Sequence, residues 1–516
     1  MKKTDYDVII IGAGIGGLVS GNILAKNGLR VLLLEKNNVP GGSVSTFYKD
    51  GYPIDITHSF CGMKQGSFIR KIFDYLDIYR KLELIELKKA FIYISEHRNE
   101  PIFCYTDTER YKKELKSHFP YERKSIDGFF REIELIWNEE ILKSYYNPSF
   151  YQLLSYPFLF PRLCKYRNYT FERFLSIFTG SKELKEVLSV GWPYLGLDRF
   201  SVSALYMVCL IMAYWKEGSF YVKGGVGKIA EALACNFKNM GGYLLYNVDI
   251  ESIIVNDKRT ALGVRDKNNE VYRGEKIVSN VDTKKTFFEL VGRTFLSKKT
   301  LRKIQKSIAS CSLIQVHIAA EAQIKEDYLS AGSIVLPFRI DLEETIKALL
   351  GVDTSPFGNS SMMVSINSLD CFSNDSKENE YMFNVAWFPA HYSLWKKLMV
   401  FYGRRKYEIL KEEIAQKVIK ILQKSKIIGR FKFSNVLTPL SVENWLNASE
   451  GAIYDFAAIP QQMLLSRFKH TTCIDKLYLV GAKTFPGAGI AGAFCSAVCL
   501  SDILLKGGLS KGKFTL

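Results

Sequence analysis

The residues best placed to do chemistry near the N-terminus are glycines. Gly12-Ala13-Gly14-Ile15-Gly16-Gly17 follows the β-branched run Asp7-Val8-Ile9-Ile10-Ile11 and matches G-x-G-x-x-G. Such a turn binds anions, because the free N–H groups of the following helix carry the positive end of its dipole. Gly12 permits the tight turn, Gly14 lets a pyrophosphate approach the backbone, and Gly17 lets helix and strand pack closely. A helical pattern over 18–26 closes on Asn27-Gly28, and a second strand, Val31-Leu32-Leu33-Leu34, ends at Glu35 followed by Lys36. Glu35 is placed to accept hydrogen bonds from a ribose. Strand, turn, capped helix, strand and acid in this order read as a dinucleotide site. An acid at that strand end repels a 2′-phosphate, so FAD or NAD is favoured over NADP.

Three further blocks narrow the choice. Val39-Pro40-Gly41-Gly42-Ser43 supplies a second glycine pair, followed by Asp50-Gly51-Tyr52-Pro53-Ile54-Asp55. Side-chain-free backbone there can lie against a cofactor's ribityl-phosphate region. Lys223-Gly224-Gly225-Val226-Gly227 precedes a helix with an apolar stripe of Ile229, Leu233, Phe237 and Met240, then Gly241-Gly242. Strands are expected at 243–247, 248–254, 260–265 and 276–279, leading to Asn280-Val281-Asp282. Near the C-terminus, Leu477-Tyr478-Leu479-Val480-Gly481 runs into Ala482-Lys483-Thr484-Phe485-Pro486-Gly487-Ala488-Gly489-Ile490-Ala491-Gly492. A buried strand thus delivers a glycine-rich turn to the start of another helix.

In order and spacing these four blocks, about a third of the chain, resemble the FAD-dependent phytoene desaturase, carotenoid isomerase and retinol saturase group of the flavoprotein amine oxidase superfamily. The resemblance implies FAD as cofactor, held by Gly12, Gly14, Ile15, Gly16, Gly17, Glu35, Lys36, Gly41, Gly42, Ser43, Gly481, Pro486, Gly487, Gly489 and Ile490, with Val248 beside the adenine. It also implies a helix near Ile490 whose N-terminus stabilises negative charge on the reduced ring. Ser43 stands where desaturases usually carry Arg and looks more like the isomerase branch. Asp55-Ile56-Thr57-His58-Ser59 departs from the family's Asp-x-Gly pattern and puts an ionisable ring near the expected flavin. The activity implied is flavin-mediated desaturation, saturation or isomerisation of a long apolar isoprenoid. Two alternatives share the ancestral blocks: an oxidase of an amine or other small substrate, and a non-enzymatic prenyl-binding module like GDP dissociation inhibitor.

His58 is the candidate catalytic residue, as general acid, base or hydrogen-bond donor; the competing reading is a turn histidine satisfied by backbone. His97, His118 and His470 lie in polar stretches and are expected to be solvated. His317 falls in an alternating strand pattern that could line a substrate cavity, and His391 reads as a loop residue. No Cys/His spacing suits a metal, and no G-x-S-x-G or Ser/His/Asp arrangement appears. Ten scattered cysteines without a C-x-x-C pair read as thiols in a reducing cytoplasm, with Cys495 and Cys499 packing on one helix face.

These residues need a large scaffold. At 516 residues the chain predicts about three domain-sized units. The fold class expected is α/β, a Rossmann-type dinucleotide-binding domain at 1–75, 215–300 and 450–516 with a discontinuous α+β substrate domain at 76–214 and 301–449. Hydrophobic and charged fractions of 47% and 24% exclude wholesale disorder. Residues 202–215, "VSALYMVCLIMAYW", are too short to span a bilayer and read as a buried helix. The net charge of +17 attracts polyanions. Residues 144–178 interleave twelve Phe and Tyr with four Lys and Arg, which suits either a membrane interface or an aromatic core with solvated charges. Basic runs at Lys298-Lys299, Lys396-Lys397 and Arg404-Arg405-Lys406 read as solvated faces. One pyrophosphate does not use that much surplus charge, so peripheral association with an anionic membrane on the cytoplasmic side is expected, and nucleic acid, with no motif to support it, is not. The sequence carries no signal of oligomeric state.

Overall fold

The computed structural model describes residues 5–57, 59–95, 98, 100–141, 150–336, 361–368, 380–390, 392–463 and 466–505. The glycine blocks converge on one seven-stranded sheet. Its order is Tyr243–Leu245, Val31–Leu34, Tyr6–Ile11, Val271–Ser279, Ala261–Asp266 and Ile250–Val255, with Leu477–Leu479 also paired to Val271–Ser279. The long strand Val271–Ser279 holds two partners on one edge: its first residues pair antiparallel with Ala261–Asp266, its last parallel with Leu477–Leu479. Strands Tyr6–Ile11, Val31–Leu34 and Tyr243–Leu245 are parallel neighbours, and Val31–Leu34 is buried throughout. That double-sided burial explains why both N-terminal strands are continuous apolar runs rather than alternating ones.

Helix Ile15–Lys26 is buried along almost its whole length, because helices Gly227–Asn239 and Gly489–Leu504 pack against it. Its one interior amide is satisfied there: Asn22 donates to Leu18 O at 2.8 Å and Leu233 O at 2.9 Å, and accepts from Asn236 Nδ2 at 3.1 Å. Three segments far apart in sequence are thereby locked into one layer.

A second seven-stranded sheet runs Ile428–Leu437, Ser312–Ala322, Glu380–Ala390, Ser361–Ser368, Ala331–Leu336, Lys89–Tyr93 and Ile102–Tyr105. The hairpin Thr46–Lys49 with Tyr52–Asp55 leans on it through Tyr52, stacked on Phe433 at 4.7 Å between ring centroids. Helix Ala204–Glu217 is a core element, with Met207 and Val208 at 0% exposure. Among the described residues no helix is long and apolar enough to cross a membrane.

Several expectations change. The aromatic stretch is mostly core: Phe160, Tyr166, Phe171 and Phe174 are buried and Phe129 packs edge-on against Phe171 and Phe174. Only Tyr151 and Phe158 of its described rings are strongly exposed, and residues 144–149 lie outside the described residues. His470 is not solvated but buried; its Nδ1 lies 3.0 Å from Leu479 O, and burial pushes its pKa down to about 4, so the ring is neutral. His118 is also largely covered, 3.5 Å from Glu114. The surrounding polar residues gave no hint of either, because tertiary packing decides which side chain of a polar segment turns inward. His97 and His391 lie outside the described residues.

Candidate active site

The first glycine turn is built as its spacing predicts. Gly12 has φ 95°, outside the range of ordinary side chains. A Cβ on Gly17 would stand 2.1 Å from Gly12 O, so this residue serves helix–strand contact. Gly14 and Gly16 face Asn280, whose side chain would stand 2.9 Å and 2.8 Å from Cβ atoms there. Gly14 caps helix Ile15–Lys26 with no side-chain bond, which leaves the first N–H groups free for an anion.

Glu35 closes this end. Its carboxylate accepts from Ala13 N–H at 2.7 Å and from Asn37 N–H at 2.8 Å. Burial raises its pKa, opposed by those two bonds. Each oxygen keeps lone-pair capacity for a further donor such as a ribose hydroxyl. Val248 N–H donates to Glu35 O at 2.9 Å, fixing the crossover beside the acid. The second glycine pair lies directly on the first turn: Gly41 N–H donates to Ala13 O at 2.8 Å, and Gly42 O accepts from Trp445 Nε1 at 3.1 Å. Gly41 is at φ 114° with room for no Cβ, since one would stand 2.1 Å from Val44 O.

The C-terminal block arrives beside them on strand Leu477–Leu479. Gly481 N–H donates to Ser496 Oγ at 2.8 Å, tying turn to helix. Tyr206 donates to Ala488 O at 2.7 Å, and a Cβ on Gly487 would stand 2.9 Å from that phenol oxygen. Helix Gly489–Leu504 again has no side-chain cap. Two uncapped helix N-termini therefore open onto one space.

That space is a cavity of about 1080 Å³, at the upper end of what a single drug-sized ligand fills. It is lined by every cofactor-binding residue expected from the sequence except Gly17, which packs behind the turn. His58 lies outside the described residues; its neighbours Thr57 and Ser59 line the cavity, and Thr57 donates to Ser43 O at 2.9 Å. Beyond the glycine end the walls turn apolar, with Trp137, Leu195, Leu210, Leu313, Met363 and Ala386. His317 is a fully buried strand residue whose Nε2 lies 3.2 Å from Asp55 O; burial pushes its pKa to about 4. Its strand meets the cavity through Leu313 and Gln315 instead.

Sequence reasoning passed over several cavity residues. Asn280 and Asp282 were legible only as the end of a parallel strand, the edge where such sheets bind ligands. Asp455 and Lys483 had no local signal. The Asp455 carboxylate accepts from Thr283 N–H and Oγ1, both at 3.0 Å; burial, with the Asp282 charge, pushes its pKa to about 7. Burial lowers the Lys483 ammonium, opposed by Asp455 and Asp282, and Lys483 donates to Val480 O at 3.0 Å. Among the described residues no cluster of His, Cys, Asp or Glu could hold a metal.

Glu217 lines the cavity at the end of helix Ala204–Glu217, and burial raises its carboxyl to about 7. A carboxyl raised by folding is protonated in the folded chain over a range where the unfolded chain has lost its proton. Its contribution is thus present at low pH and lost as pH rises through about 7. Glu217→Gln should then raise stability at pH 8 by about 1–2 kcal/mol and change little at pH 4. Urea midpoints at the two pH values check this; equal shifts at both would refute it.

Taken together, a Rossmann-type sheet, a glycine cradle that any Cβ would fill, two uncapped helix ends and an acid at the second strand fit FAD, and they define an FAD-dependent oxidoreductase. The chain belongs to the flavin containing amine oxidoreductase family, which it matches over residues 15–501. It is 27% identical over 520 residues to the chloroplastic prolycopene isomerase of Arabidopsis thaliana, covering 98% of this chain and 84% of that one. It is 25% identical over 544 residues to the all-trans-retinol 13,14-reductase of Danio rerio, covering 99% and 88%. Among solved structures, a triple variant of putrescine oxidase superposes with TM-score 0.63 at 16% identity, covering 97% of this chain and 99% of that one.

Proposed function

We propose that this protein changes the bond order or geometry of a long conjugated polyene, as a flavin enzyme of the carotenoid and retinoid type. The observation that carries the reading is the cavity's continuation from the glycine cradle into apolar walls, in a chain whose near-full-length relatives are named as a prolycopene isomerase and a retinol reductase. An oxidase of a small amine has no use for so extensive an apolar lining, and a prenyl-binding module has no use for the turn at Gly487 and Gly489.

FAD would supply reversible hydride or electron transfer at its ring. Gly12, Gly14, Ile15, Gly16, Glu35, Lys36, Gly41, Gly42, Ser43, Val248, Gly481, Pro486, Gly487, Gly489 and Ile490 are proposed to hold it, with Gly17 keeping the turn closed. Their part is to bind the diphosphate on helix Ile15–Lys26 and to present the positive end of helix Gly489–Leu504 to developing negative charge. His58 is the proposed acid, base or donor. The apolar walls exclude water and bind substrate at about 0.8 kcal/mol per buried CH₂. The proposed division is a flavin domain of 1–75, 215–300 and 450–516 and a substrate domain of 76–214 and 301–449.

A substrate this apolar is taken from lipid, which gives peripheral attachment to an anionic membrane a purpose. Exposed Tyr151, Leu154 and Phe158, on one face of helix Phe150–Leu159, support it. The test is expression in a host accumulating phytoene or cis-lycopene, with pigment analysis and flavin quantification of the purified protein. The expected result is one FAD per chain and an altered pigment. Protein without flavin even after reconstitution, or unchanged pigment alongside oxidation of a small amine, would overturn the reading.

A further inference from the structure

Helix Tyr392–Lys424 is broken at Gly403, where φ is 73° and ψ 173°. Its first segment anchors in the core below the second sheet through Trp395 and Leu398, each 1% exposed. The outer side carries a different pattern. Lys396 and Lys397, then Val400 and Phe401, then Arg404 and Arg405 follow as adjacent pairs four residues apart, and all six are exposed. Within the first segment that spacing puts Lys396, Lys397, Val400 and Phe401 on one side of the helix. The break at Gly403 comes after the apolar pair, and Arg404 and Arg405 remain exposed beyond it.

Val400 is 67% and Phe401 75% exposed, side by side at the end of the first segment. From 392 to 407 the chain has five Lys and Arg, counting Lys406, and neither Asp nor Glu. Among the described residues none of the five forms an ion pair, while Lys396 and Lys406 lie over the rings of Tyr392 and Tyr402. A merely solvated helix face explains the cations but not two large apolar side chains at its centre.

We infer that residues 396–406 form the element that docks this protein on an anionic lipid surface. The cations meet headgroups, and Val400 and Phe401 enter the acyl boundary, as on interfacial helices. A second copy of the chain would bring like charge against like, in a protein of net charge +17. Nucleic acid would satisfy the cations but offers an exposed Val no partner, since its protein contacts are phosphate pairing and base stacking. The inference rests on the membrane reading above, and it adds this surface to the exposed face of helix Phe150–Leu159.

The test floats flavin-loaded, full-length protein with phosphatidylcholine vesicles that either contain or lack phosphatidylserine. Wild type is expected to float only with the anionic vesicles and to lose binding in high salt. Arg404→Gln, Arg405→Gln and Lys406→Gln together should weaken partition about a hundredfold, at about fivefold per cation. Val400→Ser with Phe401→Ser should weaken it about tenfold or more. Both sets are expected to keep full flavin content and unchanged detergent-solubilised activity, which shows that the fold is intact. Wild type and both variants floating equally would overturn the docking element while leaving membrane attachment in place. Wild type failing to float would overturn both readings, and retention on duplex DNA or RNA without vesicle binding would assign the patch to nucleic acid instead.

Discussion

Gly17→Ala is expected to yield protein without flavin and with a thermal midpoint lowered by roughly 5–10 °C. The added methyl would lie 2.1 Å from Gly12 O and 3.3 Å from both Gly12 C and Ile10 Cγ2. Two of these atoms are backbone in the turn itself, so no side-chain rotation relieves the clash. Helix Ile15–Lys26 must move away from strand Tyr6–Ile11, and that helix is held on its other sides by Gly227–Asn239 and Gly489–Leu504. Overpacking of this kind costs about 3 kcal/mol. It also displaces the N–H groups proposed to bind the diphosphate. Gly28→Ala is the control: nothing lies within 4 Å of its added Cβ, so only the φ of 85° is strained and flavin should be retained. Absorbance of the bound flavin and a melting curve read both variants. Gly17→Ala retaining a full complement of FAD would show that the turn tolerates a side chain.

Asp55→Ala should lower stability by about 3–5 kcal/mol. The buried carboxylate accepts from Thr46 Oγ1 at 2.5 Å, Tyr221 Oη at 2.7 Å and Val226 N–H at 3.3 Å. It is the knot between the hairpin after the second glycine pair and the start of helix Gly227–Asn239. Truncation removes the one carboxylate that ties Thr46, Tyr221 and Val226 together and frees the segment that brings Thr57 and Ser59 to the cavity. Asp55→Asn keeps an acceptor and is expected to be milder. It also isolates a pH effect, because burial raises this carboxyl to about 6 against about 3.9 in an unfolded chain. Between those values the folded protein holds a proton that the unfolded chain has released. Wild-type stability from this group therefore falls as pH rises from about 4 to 6 and is level above. The gap between wild type and Asp55→Asn should be larger, in favour of wild type, at pH 4 than at pH 7. Chemical denaturation at the two pH values measures it; a gap that widens toward pH 7 would reverse the assignment.

Wherever a feature is set by backbone sterics within one short segment, it was legible beforehand. The strand, turn and helix from Asp7 to Lys26, the acid at Glu35 and the glycine pair at 41–42 each satisfy a local condition that few other residues meet. The helix of residues 202–215 was readable as buried from its length alone. The strand edges shifted slightly: the expected 243–247 and 248–254 became Tyr243–Leu245 and Ile250–Val255, because Val248 is drawn out to bond Glu35 O.

What the chain by itself determined is thus the dinucleotide cradle and its cofactor class, since glycine's freedom at φ 95° and the absence of a Cβ are properties of residue type and spacing. Only the tertiary structure decided which polar groups share the cavity. Asp455, Lys483 and Asp282 lie in three separate segments, and His470 and most rings of the aromatic stretch are buried by neighbours distant in sequence. Ionisation of Asp455, Lys483 and His470 is shifted by desolvation and by charges from other segments, so it depends on packing that no local pattern encodes. The same holds for Val400 and Phe401, apolar residues that the fold leaves in solvent.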